Sequence, residues 1–146
     1  MKKMKHQFPV IIFLIFSFFC MSFSTQAQEV LSIFKKYGYN EGVTLLETSR
    51  EVMKSYKIKN FKSIIFDDGS KALPEIRSAI GKDKVGALHI KESTRDGLLT
   101  SGYYRLAPEK THQNRYLIFK VGDKNKTTLI YVEGELTPEE LVELLQ

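Results

Sequence analysis

The chain has 146 residues, 22 basic and 17 acidic, with a net charge of +5 and a single cysteine, Cys20. That length supports one domain with its own apolar core, held without metal or disulfide staples. One thiol excludes an internal disulfide framework, and no HxxxH or HExxH spacing marks a zinc site.

The chain opens with Lys2, Lys3 and Lys5, and no acid precedes Glu29. From Phe8 to Phe23 it is almost wholly apolar, interrupted only by Pro9, Ser17 and Ser22. A basic start, a greasy run and small residues near the end describe a secretory signal peptide. The run of about 16 residues falls short of the roughly 20 that a membrane-crossing helix needs. Ser24-Thr25-Gln26-Ala27 offers small residues for a signal peptidase, which places the cut after Ala27. A lipid-anchored Cys20 would need Gly or Ala just before it, where Phe19 stands, so Cys20 is expected to leave with the leader. Residues 1–27 are therefore read as signal peptide and 28–146 as a single domain. Losing three basic residues and no acidic one lowers the net charge from +5 to +2. Such a balance, with signs interspersed, leaves no footprint for nucleic acid or an anionic membrane surface.

After an apolar lead-in (Val30, Leu31, Ile33, Phe34), KKYGYNEG reads as a loop and VTLLET (43–48) as a strand. Ser49 is placed to cap a short helix, REVMKSY, with a single helix over 42–57 as the rival reading. FKSIIFDD (61–68) alternates as a strand and ends in the turn residues Asp67-Asp68-Gly69-Ser70. A helix from about Lys71 to Ile80 tolerates Pro74 in its first turns and is expected to stop at Gly81. Four strands follow: VGALHIKE (85–92), LLTSGYYRL (98–106), RYLIFKVG (115–122) and TTLIYVEGEL (127–136). Asp96-Gly97 makes a tight hairpin of the first two, and GDKNK joins the last two. Thr137-Pro138-Glu139-Glu140 forms a capping box for a terminal helix, with Leu141, Leu144 and Leu145 toward the core. These elements predict an α+β domain: a single antiparallel sheet of five or six strands, helices packed on one face, and a C-terminal helix.

Chemistry is sparse. His89 sits on a strand face with Ala87 and Lys91, and His112 lies in a polar loop. Ser49 and Ser70 read as caps, and no GxSxG elbow occurs. Asp67, Asp68, Glu133 and Glu135 would supply paired carboxylates for acid–base work only if the strands at 61–68 and 127–136 bring them together. DDGS lacks the alternating oxygens of a calcium loop, and there is no glycine-rich phosphate loop. No metal site and no cofactor are expected. One pattern offers a binding face: Tyr103 with Arg105, Tyr116 with Lys120 and Tyr131 with Glu133, joined by His89 if the strands register suitably. Such a face would stack sugars or grip a peptide, although tyrosines also suit the polar face of an ordinary antiparallel sheet.

KNFKSIIF, GYYRLAP, NRYLIFK and TTLIYVEGELTPEELVELL, behind a leader ending in QAQ, resemble small exported domains of unknown function from Bacteroidetes. The chain is similar also to a second uncharacterised family of that group, in which GVT precedes a helix and the last strand leads into a C-terminal helix. The resemblance implies a compartment and a fold but no active-site residue. The expectation is an exported, periplasmic or secreted, non-enzymatic module that binds a partner protein or cell-wall component. It would use the tyrosine-bearing face or a free strand edge. The alternative is an envelope hydrolase acting on peptidoglycan or glycan through the paired carboxylates.

Overall fold

The computed structural model describes residues 27–48, 53–108 and 113–146. The leader with Cys20, the Ser49 cap with the first half of the short helix, and His112 lie outside these residues. The elements are α1 (Gln28–Tyr37), β1 (Val43–Glu47), β2 (Ile58–Phe66), α2 (Leu73–Asp83), β3 (His89–Arg95), β4 (Leu98–Leu106), β5 (Asn114–Val121), β6 (Thr127–Gly134) and α3 (Pro138–Leu145). The strands form one antiparallel sheet in the order β1-β2-β6-β5-β4-β3. The α+β class and the six-stranded antiparallel sheet follow the sequence expectation.

Strand alternation divides the apolar side chains between two layers. Ile64, Phe66, Tyr104, Leu106, Leu117, Phe119, Leu129 and Tyr131 point to one face and are covered by α1 and α2. Tyr116, Val132, Ile58, Phe61, Tyr103, Ile118 and Ile130 point to the other, where Met53, Leu136, Leu141 and Leu144 cover them. The two longer helices thus share one face, and α3 caps the second. A short helix offers too little apolar surface to cover six strands, and that decides the groove described below.

The apolar lead-in proves to be α1, with Val30, Ile33 and Phe34 buried at helical spacing. It lies antiparallel to α2. At one end Lys36 Nζ meets Glu75 at 3.0 Å and the Tyr37 hydroxyl donates to the same carboxylate. At the other end Asp83, the last residue of α2, accepts from the backbone N–H of Val30 at 2.7 Å and of Glu29 at 3.4 Å. The carboxylate supplies the cap that Ala27 lacks, satisfying the first N–H groups of α1. Burial pushes the Asp83 carboxyl above its ordinary value, and the two N–H donors hold it back.

Several boundaries differ from the sequence expectation. The second helix runs through Gly81, which is exposed with open space where a side chain would be, and ends with Lys84 N–H bonded to Ile80 O. A solvent-facing glycine costs a helix about 1 kcal/mol and need not end it when the buried face continues. The reversal comes instead at Gly86, with φ 77. The next strand therefore begins at His89 and runs to Arg95, up to the Asp96-Gly97 turn, whose residues both have positive φ. In α3 the capping box is complete, Glu140 N–H to Thr137 Oγ1 at 3.2 Å and Thr137 N–H to Glu140 Oε2 at 2.9 Å. Leu141 is fully buried there, while Leu145 is 45% exposed rather than in the core.

Candidate functional site

The cross-strand register puts His89 opposite Arg105, Arg105 opposite Tyr116 and Tyr116 opposite Val132, while Lys91 lies opposite Tyr103. Directly opposite residues share a face, so His89, Lys91, Tyr103, Arg105 and Tyr116 lie together on the α3 side of the sheet. Their rings form a short run: His89 to Tyr103 edge-on at 5.9 Å between centroids, and Tyr103 to Tyr116 at 6.3 Å. Tyr131 does not join them. It pairs with Leu117, the neighbour of Tyr116, and so points into the opposite layer, where its hydroxyl donates to Glu133 Oε2 at 3.1 Å. A single-residue offset in register decides the face.

Because α3 covers only the middle of this face, an open groove of about 700 Å³ remains between α3 and β3–β4. His89, Lys91, Tyr103 and Arg105 form its sheet wall, and Pro138, Glu139 and Val142 its helix wall. Tyr116 marks the inner boundary: it is fully buried, donates to Leu136 O at 2.9 Å, and burial pushes its phenol up to about 12. Asn114 links this support to the groove, donating to Leu136 O at 3.0 Å and accepting from Arg105 Nη2 at 3.1 Å. The Arg105 Nε has no hydrogen-bond partner among the described residues. Desolvation also raises the Tyr103 phenol. A half-buried tyrosine beside an anchored guanidinium offers a stacking surface and a hydrogen-bonding charge in one place. Sequence reasoning did not find Pro138, Glu139 or Val142, because only the return of the terminal helix over the sheet brings them here.

The carboxylates do not converge. Phe66 pairs with Thr127 and Asn60 with Glu133, so Asp67 and Glu133 stand at opposite ends of the β2–β6 pair. At about 3.3 Å per residue the separation along the strands is roughly 20 Å, against the roughly 5–10 Å that two-carboxylate glycoside hydrolysis requires. Asp68 is instead occupied in its own turn, accepting from the Ser70 N–H at 3.0 Å and from the Ser70 hydroxyl. Ser70 therefore does not cap α2, whose N-cap position is Ala72. Among the described residues no group of three or more His, Cys, Asp and Glu is placed to hold a metal ion.

Fold and groove together define a small single-sheet α+β domain with an open, cation-lined cleft beside its terminal helix. The model of a family of unknown function, DUF6108, matches residues 20–145, and the chain belongs to that family. No curated protein and no solved structure matches the chain.

Proposed function

We propose that this chain is an exported, non-enzymatic module that holds a partner protein or cell-wall component in the groove between α3 and β3–β4. In this reading residues 1–27 are a signal peptide cut after Ala27. Residues 28–146 then work in the periplasm or outside a Bacteroidetes-type cell, accessory to envelope maintenance or signalling. The observation that carries the reading is the groove itself, which gathers His89, Tyr103 and Arg105 against Pro138, Glu139 and Val142. Grooves that bind ligands combine apolar lining with a few anchored polar groups, and Arg105, held through Asn114, is such a group. The basic leader with its apolar run supports export. Among the described residues no helix is long and apolar enough to cross a membrane. The roughly 20 Å between Asp67 and Glu133 speaks against the hydrolase alternative.

The test is cross-linking in intact cells, followed by mass spectrometry of the tagged protein, for the natural chain and for Arg105→Glu. The reading expects a mature chain starting at Gln28 and a reproducible envelope partner cross-linked beside Tyr103. It also expects that partner to be lost from the Arg105→Glu variant. A partner mapped to the α1–α2 face and retained by the variant would overturn the assignment of the groove. A chain that still carries Met1 would overturn export.

A further inference from the structure

We propose that the free edge of β3, which borders the groove, takes an acidic, extended segment of another protein as an antiparallel seventh strand whose groove-side side chains meet the groove's cationic rim. This deepens the groove reading above and rests on it. Three observations carry it: the free edge of β3, the charge of the groove wall beside it, and the poor match of that edge to its own copy.

β3 is the last strand of the sheet, and all seven of its residues are exposed. One side of a terminal strand has no strand to satisfy its N–H and C=O groups, which makes it a template for an added chain. Exposed apolar side chains stand along and beside this edge, Leu88 at 59% and Ile90 at 45%, with Leu98 at 55% at the far end of the hairpin. Backbone bonds at the edge would supply affinity, and alternate side chains would supply specificity.

The register states what those side chains should be. His89 and Lys91 project to the groove face and Ile90 to the other, so an added strand presents every second residue to His89 and Lys91. Arg105 stands in the next row, and the single acid lining the groove, Glu139, lies across it on α3. Acids at alternate positions with an apolar residue between them therefore match this edge. Glu92 does not oppose them, because it faces the other layer and already accepts from Lys84 Nζ at 2.7 Å and the Tyr104 hydroxyl at 2.9 Å.

A second copy of the chain is a poor occupant. Antiparallel pairing of two identical edges places the two-fold axis perpendicular to the sheet, so only residues of the same face meet. Registers centred on Lys91 or Glu92 set like charges against one another, and the register centred on Ile90 pairs two isoleucines but sets His89 against Lys91 on both sides of the axis. Like charges directly opposite one another destabilise a strand pair. The irregularity between Ser93 and Thr94 ends the regular template after Ser93, leaving His89–Ser93 for a strand of complementary charge.

The experiment titrates the folded chain with an acetylated, amidated Thr-Glu-Val-Glu-Val-Thr peptide, by calorimetry and by amide exchange. The expected result is binding with new amide protection confined to His89–Ser93. Affinity should fall roughly tenfold when lysines replace the two glutamates or when Lys91→Glu is introduced, and the double reversal should restore it. Lys91 is exposed on an edge, so circular dichroism should show that variant folded as before. A backbone N-methylated peptide should not bind. If it binds as well as the parent, side chains alone hold the ligand: strand addition fails while the groove reading survives. Absence of binding at millimolar peptide, protection elsewhere, or a β3-paired dimer of the chain would each overturn the proposal.

Discussion

Asp83→Asn tests how the sheet's helical layer is held in place. Asp83 is 8% exposed, and its Oδ2 receives the Val30 N–H at 2.7 Å while Oδ1 lies 3.4 Å from the Glu29 N–H. The asparagine oxygen can keep one of these bonds, but its amide then turns a donor toward the other N–H. The helix end also loses a negative charge where its dipole favours one. Relief of the buried charge offsets part of this, and a loss of about 1–2 kcal/mol at neutral pH follows from the usual cost of removing a charged cap. The pH dependence separates the contributions. Burial raises the folded-state carboxyl above its ordinary value of 3.8, so in that window the folded chain binds the proton more tightly than the unfolded one. Stability contributed by Asp83 is full below the unfolded value and declines as pH rises through the folded one. Urea denaturation of both chains across this range should show the natural chain's advantage shrinking as pH rises, then levelling. An advantage that grows with pH would mean that the two N–H bonds outweigh burial, reversing the assigned cause. Equal stability at neutral pH would refute the cap itself.

Other substitutions probe separate parts of the fold. Thr137→Ala removes the hydroxyl that accepts from Glu140 N–H, and its denaturation midpoint should fall in step with a loss of about 1 kcal/mol. Leu141→Ala empties a fully buried site under α3 and should lower stability by about 2–4 kcal/mol, read as a reduced midpoint with unchanged denaturant slope. Gly102→Ala would bring a Cβ within 2.3–2.6 Å of the buried Tyr104 ring end, so overpacking should cost about 1–3 kcal/mol and shift the near-ultraviolet dichroism. Burial raises the phenols of Tyr104 and Tyr131, and that of Tyr116 to about 12, so the unfolded chain releases these protons first. Stability should decline as pH rises from the ordinary tyrosine value of 10.0 toward 12, with cooperative unfolding and phenolate absorbance rising together.

Much of the architecture was legible because its signals are local. Thr137, Pro138 and Glu140 specify a helix start through bonds spanning three residues, and Asp96-Gly97 specifies a hairpin through backbone conformations that few other residue pairs adopt. Alternation in β2, β4, β5 and β6 marks strands whatever their neighbours are. α1 carries its own helical spacing in Val30, Ile33 and Phe34, but the apolar run of residues 8–23 before it hides where that pattern begins. Gly81 shows the limit of a local stop signal: packing of Ile76, Ala79 and Ile80 against the sheet carries the helix beyond it.

The class of fold, the terminal cap and the pairing of tyrosines with charged residues a few positions on, such as Tyr103 with Arg105, are readable from the residues alone, since each depends on short spacings. Tertiary pairing, by contrast, puts Tyr131 in the opposite layer, keeps Asp67 and Glu133 apart, and returns α3 beside His89, Tyr103 and Arg105. Strand order and register set these outcomes, and they come from pairings between segments distant in the chain. Such pairings depend on the joint burial of two faces, so no short stretch of sequence encodes them.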